Sequence, residues 1–261
     1  MEEIFVACDH MLFIKEFEET ELHQHMVKHL TIDLGGEMTC ELNGERVVAE
    51  GYILQSYISH QRKKCSEKSI KMVFLIDESS SLAKSVDEVL GKSPYKVLKV
   101  DEVERIRKVW QEKHELLQGK ENFKKQYDKM IDEIFSICGI KRKKHNVMDE
   151  RIRKILTLIN NEEVLPEMDT ICEAVYLSKS RVLHLFKEQI GISYKHYILI
   201  KKFLRTWQYL ASDENITEAA IHAGFSDAAH YTKFAKNCFG LSTKKELEKT
   251  QGLYLVDEYL K

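Results

Sequence analysis

Between Asp169 and Gly240 the chain reads ICEAVYLSKSRVLHLFKEQIG (residues 171–191) and, after a long amphipathic segment, AAIHAGFSDAAHYTKFAKNCFG (residues 219–240). Superposed at an offset of 48 positions, Cys172 falls on Ala220, Leu177 on Phe225, Ser178 on Ser226 and Phe186 on Phe234. The stretch is therefore an internal duplication, and a unit used twice, one segment apart, suits a target that itself repeats.

The second copy is the more regular. Asn215 followed three residues later by Glu218 is a capping-box-like start, and the spacing predicts a short helix over Thr217 to His222. Ala220 is small where a crossing helix must approach, and Gly224 supplies a turn residue with no Cβ penalty. Phe225 anchors the turn, Ser226 is the expected cap of the next helix, and Tyr231, Phe234 and Phe239 give it an apolar side. The product is a helix-turn-helix whose second helix enters a major groove by its first turns. The first copy repeats this with Asp169 as cap, Cys172 as the small residue, Leu177 as anchor and Ser178 as the second cap. Tyr176 stands where Gly224 stands. A left-handed tyrosine costs about 1–2 kcal/mol relative to glycine, so a reshaped first turn is expected.

Between the copies, Tyr194 to Leu210 reads as a linker helix that spans about 25 Å at 1.5 Å per residue. With the offsets of the two recognition helices, this approaches the ~34 Å between successive major-groove faces on one side of a duplex. One protomer is thus expected to read adjacent grooves and to bend the DNA between them.

The rest of the chain is of a different kind. Residues 1–140 carry 20 basic and 26 acidic side chains, whereas residues 141–261 carry 20 and 16. That asymmetry fits an acidic module joined to one that meets a polyanion. With 261 residues, 43% hydrophobic content and only two prolines, two ordered domains are expected. The N-terminal MEEIFVACDHMLF lacks the basic and apolar regions of a secretory signal, and no apolar run reaches the ~20 residues of a membrane span. A cytoplasmic protein that does not meet a membrane is the expectation. Cys8, Cys40, Cys65, Cys138, Cys172 and Cys238 form no C-x-x-C pair, so reduced, mostly buried thiols are expected.

From Ile4 to Ile76 the pattern is short and alternating. Leu30/Ile32/Leu34, Met38/Cys40/Leu42 and Val47/Val48 are separated by Gly35-Gly36 and Asn43-Gly44, and Tyr52 to Leu54 and Met72 to Ile76 add further runs. A small antiparallel sandwich or barrel follows. His23, His25, His29 and His60 lie in this region. On one strand the first three would share a face, and neutral imidazole suits zinc, nickel, copper or iron. A short helix is expected over about Leu82 to Leu90, closed by Gly91. Then the period becomes helical, with Val103, Ile106, Trp110 and Leu117 on one stripe and, after the Gly119 break, Phe123, Tyr127, Ile131 and Ile134 on another. Two such helices form a hairpin that either caps the open face of the barrel or pairs two protomers. KRKKH at residues 141–145 reads as a basic linker able to touch phosphate.

The residues from about Glu150 to Glu248 resemble the DNA-binding domain of the AraC/XylS family of transcription regulators. The resemblance is carried by LSKSRVLHLFKEQIGIS (Leu177 to Ser193), Tyr197, Lys202, Leu210, NITEAAIHAGFSD (Asn215 to Asp227) and the FG-x-S of Phe239 to Ser242. The front end resembles the cupin superfamily, with H-x-H at His23 and His25, His29 in place of the usual Glu, and a second motif eroded at Tyr57 and Ser59. Thr243 in place of proline, Ala235 in place of phenylalanine, and Tyr176 in place of glycine depart from the regulators' pattern.

The resemblance implies an α+β multidomain chain. Its expected parts are a cupin-like sensory β-domain over residues 1–99 and a helical hairpin over 100–140 that dimerises through the two stripes named above. A linker over 141–147, a tandem helix-turn-helix domain over 148–250 and a tail over 251–261 follow. It implies base reading by Ser180, Leu183 and His184 in the first copy and by Ala228, Ala229, Thr232 and Lys233 in the second. Phosphate contacts fall to Lys179, Arg181, Lys187 and Lys236. Double-stranded DNA, a second copy of the chain and, for an activator, RNA polymerase are the implied partners. No cofactor is certain; a divalent metal or small-molecule effector held near His23, His25, His29 and His60 is the expected regulator. Two other readings stand beside it, a cupin-type metalloenzyme with an accessory helical domain and a constitutive regulator without effector. The sequence holds no Ser-His-Asp arrangement, phosphate-cradling glycine loop or carboxylate pair at suggestive spacing to support catalysis, so no enzyme activity is expected.

Overall fold

A computed structural model describes residues 2–16, 19–65, 69–78, 80–118, 122–141, 149–161, 165–190, 192–240 and 242–256. It divides into two compact units, Met1–Arg142 with Thr232–Asp257, and Lys143–Tyr231 with Glu258–Lys261.

The first unit is built on eight N-terminal strands, β1 (Glu3–Val6), β2 (His10–Glu16), β3 (Lys28–Asp33), β4 (Met38–Leu42), β5 (Glu45–Ala49), β6 (Gly51–Leu54), β7 (His60–Cys65) and β8 (Ile70–Ile76). Helix α1 (Ser81–Leu90), strand β9 (Tyr95–Val97), helix α2 (Val100–Lys113), a 3-10 turn (Glu115–Gln118) and helix α3 (Phe123–Ile137) follow. Asn43 and Gly44, both at positive φ, make the tight turn between β4 and β5 that the Asn-Gly pair demands. After β3, the Asp33 carboxylate accepts the N–H groups of Gly35 and Gly36 and reverses the chain into β4. Ser80 caps α1 by accepting the Ala83 N–H, and left-handed Gly91 ends it.

With a tenth strand, β10 (Gly252–Leu255), a seven-stranded sheet runs in the order β10-β1-β2-β8-β3-β6-β9, and a three-stranded sheet runs β5-β4-β7. Strand β10 comes from the tail and pairs with β1 in parallel, Glu3 opposite Gly252 and Val6 opposite Leu255. Tyr254 lies flat on Phe5 at 5.0 Å between ring centroids, and Val256 is buried, so the described part of the tail docks as an edge strand. Leu260 lies outside the described residues.

The hairpin requires a correction. Val103, Ile106, Leu117, Tyr127, Ile131 and Ile134 are buried, and Trp110 and Phe123 are half-buried against the same cluster, which includes Phe5, Leu12, Leu30, Ile53 and Phe74 of the large sheet. The stripe read as a dimer face is therefore core of this chain. The reason is arithmetic of surfaces: the sheet has an apolar face that needs a cover, and the hairpin supplies the nearest one. Arg107 fixes α2 over the β3–β4 turn by donating to the carbonyls of Asp33 and Gly36 and pairing with Glu50 at 2.7 Å. The Gly119 break and, beyond Lys141, the basic linker lie outside the described residues.

The second unit contains α4 (Glu150–Asn161), α5 (Met168–Val175), α6 (Lys179–Ile190), α7 (Tyr194–Leu210) and α8 (Ile216–His222). Helix α9 (Ala228–Phe239) begins in this unit and ends in the first, which also holds α10 (Thr243–Lys249). Ile152, Ile155, Ile171, Val182, Phe186 and Tyr197 form the centre of a core built by α4 to α7. Among the described residues no helix is long and apolar enough to cross a membrane.

Candidate nucleic-acid interface and effector pocket

In the first copy Glu167 occupies the N-cap position of α5 without a side-chain cap hydrogen bond; Asp169, expected as the cap, lies inside the first turn, where its charge still opposes the helix dipole. Tyr176 ends the helix at φ 53°, ψ 43°, and the Leu177 N–H closes back onto the Cys172 carbonyl at 3.1 Å. The second copy makes the same closure, with Gly224 at φ 91° and the Phe225 N–H on the Ala220 carbonyl at 2.9 Å. The first turn is thus not reshaped. It keeps the left-handed geometry and accepts the strain, with a Tyr176 side chain 92% exposed and held by no packing.

Ser178 caps α6 through the Arg181 N–H at 3.4 Å. In the second copy the cap is Asp227, which accepts the His230 N–H at 2.7 Å, while the expected Ser226 contacts the His230 ring at 3.0 Å. A carboxylate is the stronger acceptor for a helix-start N–H, and it displaces the serine by one position. Asn215 caps α8 as expected, accepting from Thr217 and Glu218.

Helix α6 buries Val182, Leu185, Phe186 and Ile190 and exposes Ser180, Leu183 and His184 together with Lys179, Arg181 and Lys187. Helix α9 buries Tyr231, Phe234, Ala235 and Cys238; Ala229, Thr232, Lys233 and Lys236 are exposed and Ala228 is half-buried. Tyr231 fixes its start by stacking on Phe203 of α7 and meeting Phe225 edge-on. The three departures from the regulators' pattern are absorbed locally. Ala235 is fully buried, Tyr176 tolerates its turn, and Thr243 takes the first helical position of α10, where proline is at home.

The first unit also holds a cavity of about 570 Å³. His23, His25, His29 and His60 line it, with Lys15, Arg62 and the apolar Phe13, Val73 and Leu75. From the C-terminal segment Thr232, Lys236, Phe239, Gly240, Ser242 and Lys245 complete it. Two residues of the expected DNA face, Thr232 and Lys236, therefore also border this cavity. Sequence reasoning missed Lys15, Arg62, Gly240 and Lys245, because nothing in their local pattern joins residues more than 150 positions apart.

The histidines do not share one strand. His29 is in β3, His60 begins β7, His23 forms an isolated bridge with His60, and His25 lies on the connection to β3. They converge nonetheless. Ring centroids are 4.5 Å apart for His23–His25, 4.4 Å for His23–His60, 4.9 Å for His25–His60 and 4.5 Å for His25–His29. Burial pushes all four imidazoles below their ordinary pKa, His25 to about 2 and His60 to about 4, so the cluster is neutral. His25 Nδ1 and His29 Nε2 are buried without a hydrogen-bond partner. Neutral imidazoles with unsatisfied nitrogens fit a divalent transition metal, for which one nitrogen each of His23, His25 and His60 is available within 4.8 Å of the others.

The helix-turn-helix domain family matches residues 171–248. Comparison with curated protein sequences returns no match. Among solved structures, an apo single-residue variant of ToxT from Vibrio cholerae strain SCE256 aligns with a TM-score of 0.57 at 10% identity, over 93% of this chain and 98% of that one. Wild-type ToxT of the same strain with an unsaturated fatty acid bound gives 0.53 at 10% identity, over 94% and 97%. ToxT from Vibrio cholerae O395 gives 0.53 at 11% identity, over 94% and 99%. Residues 171–248 thus match a helix-turn-helix domain family, on a chain that shares the fold of ToxT over more than nine-tenths of its length.

Proposed function

We propose that the protein is a sequence-specific transcription regulator that reads two adjacent major grooves per protomer and is controlled by an effector held in the barrel cavity. The observation that carries this reading is the pair of helix-turn-helix units whose second helices, α6 and α9, turn polar and basic side chains to solvent. Ser180 and His184 offer hydrogen bonds to base edges, and Leu183, Ala228 and Ala229 offer apolar contact, for instance to a thymine methyl. Thr232 and Lys233 read bases in the second copy. Lys179, Arg181, Lys187 and Lys236 meet phosphate, which adds affinity without sequence information.

The cavity supports two effector classes. The neutral imidazoles of His23, His25, His29 and His60 suit a divalent metal. Lys15, Arg62, Lys236 and Lys245 beside Phe13, Val73 and Leu75 suit an amphipathic carboxylate, the class of the unsaturated fatty acid found in ToxT. The reading includes a homodimer, which the exposed surface rather than the buried hairpin stripe must form, and contact with RNA polymerase at the promoter. Sedimentation of the free protein measures the first.

Genome-wide footprinting supplies the DNA, and anisotropy titration on the recovered duplexes tests the reading. Arg181→Ala is expected to weaken binding alike on all sequences and to lower the salt slope of log K by about 1. Lys233→Ala is expected to lose base discrimination as well. Equal, sequence-blind losses in both variants, or no footprint at all, refute this assignment.

A further inference from the structure

Helix α7 sends two cations to two different partners. Lys202 donates from its ammonium to the carbonyl of Gly224, the left-handed residue in the turn after α8. Arg205, three positions on, donates from Nη2 to the carbonyl of Ile159, in the last turn of α4, at 2.9 Å. A carbonyl in the last turn of a helix, or just past it, finds no N–H in its own ladder, so both are acceptors that the local chain leaves open. Lys202 and Arg205 are half-buried, and burial lowers the pKa of each from its ordinary value. These are cations drawn partly out of water onto backbone oxygens, where a bond to a charged donor is strong.

Ring packing holds the same helix with less direction. Tyr194 and Tyr197 meet Phe186 of α6 edge-on at 5.3 and 5.2 Å, and Phe203 stacks on Tyr231 of α9 at 6.0 Å. Apolar contact follows buried area and tolerates sliding and rotation, whereas a hydrogen bond weakens steeply once distance and angle leave a narrow range. Residues three apart lie next to each other on a helix surface. From that one side Arg205 reaches α4, which shares the core of the first copy, and Lys202 reaches the turn of the second. Helix α7 therefore cannot rotate against either copy without losing one of the two bonds.

DNA gives this directionality a use. Major-groove faces on one side of a duplex recur every 10–10.5 base pairs over about 34–36 Å, so one base pair moves a half-site by about 3.4 Å and turns it by about 35°. A linker that only packs would follow such a change; a linker pinned at both ends would not.

Resting on the reading of the chain as a regulator of two adjacent grooves, we infer that Lys202 and Arg205 are positioning residues that lock α7 to the two helix-turn-helix units and thereby fix the half-site spacing the protein accepts. Neither residue contacts a base in this scheme. Specificity for spacing comes from the linker, and specificity for sequence from α6 and α9.

The test uses full-length protein and the duplexes recovered by footprinting, each compared with versions holding one base pair more or one fewer between the half-sites. Unaltered protein is expected to lose at least about tenfold in affinity on either change, comparable to one mismatched base pair. Lys202→Met keeps a chain of similar length beside Gly224 and removes only the donor. Its spacing penalty is expected to shrink to about two- to threefold, and Arg205→Met should behave likewise. Lys202→Arg, which restores a donor, should recover the discrimination. A role in stability alone would weaken all the duplexes by one factor, so unchanged spacing ratios in both methionine variants overturn the inference. Hydrogen exchange of the free protein gives a readout without DNA. Residues 220–231 are expected to exchange severalfold faster in Lys202→Met while residues 182–190 keep their rate, and equal exchange throughout overturns the tie to Gly224. No footprint from the unaltered protein refutes the regulator reading and the spacing role with it; a footprint with unchanged ratios refutes the spacing role alone.

Discussion

Tyr176 and Gly224 occupy the same position in the two copies and share the left-handed region, at φ 53° and 91°. Exchanging side chain for hydrogen at these two points should therefore have opposite signs. Tyr176→Gly removes about 1–2 kcal/mol of left-handed strain and adds about 0.5–1 kcal/mol of backbone entropy cost, for a net gain of about 0.5–1 kcal/mol. Because Tyr176 is 92% exposed, almost no packing is lost with it. Gly224→Ala imposes the strain and also brings a Cβ within 3.3 Å of Lys202 Cε, whose ammonium donates to the Gly224 carbonyl. A loss of about 1 kcal/mol is expected. Urea unfolding followed by tryptophan emission measures both. In a Trp110→Phe background the signal comes from fully buried Trp207 of the helix-turn-helix unit. With a slope of about 1–2 kcal/mol per molar urea, the midpoint should rise by about 0.5 M in the first variant and fall by a similar amount in the second. A fall in Tyr176→Gly would show that the exposed ring stabilises the turn, and the strain argument would be wrong.

Other perturbations separate the remaining forces. Asn215→Ala leaves the N–H groups of Thr217 and Glu218 without their acceptor and should cost about 1 kcal/mol in the same urea assay. Asp33 forms a buried pair with Lys71 and accepts from Ser69; replacing only Lys71 by Met strands the carboxylate and should cost about 3–5 kcal/mol, read from thermal unfolding. Burial pushes the Asp33 carboxyl up, but the hydrogen bonds from Lys71, Ser69 and Gly35 together hold it below the ordinary value. Its folded pKa being lowered, its contribution is present above about pH 4 and is lost as pH falls through the folded value, so Asp33→Asn should flatten the acid limb of the stability profile. Deleting residues 250–261 removes β10, uncovers Phe5 and Phe123, and should lower the melting temperature of the barrel; an unchanged value would mean that the strand only rests on β1.

Much of the C-terminal part could be read without coordinates because its signals are local. Apolar spacing, Asn215, Gly224 and the 48-residue offset identify both helix-turn-helix units, and a run of 17 residues marks α7 from Tyr194 to Leu210. Asn43-Gly44 marks the β4–β5 hairpin because both residues tolerate positive φ. Cap positions were less legible: Glu167, which makes no side-chain cap hydrogen bond, and Asp227 stand at the cap positions in place of Asp169 and Ser226, since the exact helix phase decides which residue falls there.

What an apolar stripe faces is not local information. The periodicity of α2 and α3 predicts a buried side but does not say whether a second protomer or the chain's own sheet buries it, and here Phe5, Leu12 and Phe74 do. The histidines show the same division. Their residue type, four imidazoles at positions 23, 25, 29 and 60, suggests nitrogen ligands. That His23 and His60 bridge, that His25 lies against the far-removed Gly240, and that two ring nitrogens lack partners follow from long-range strand pairing and the return of the tail to β1. Sequence pattern determined the helix-turn-helix scaffold, because capping, turns and helical spacing act within a few residues. Tertiary packing decided the cavity and its link to α9, because those contacts join segments that only long-range strand pairing brings together.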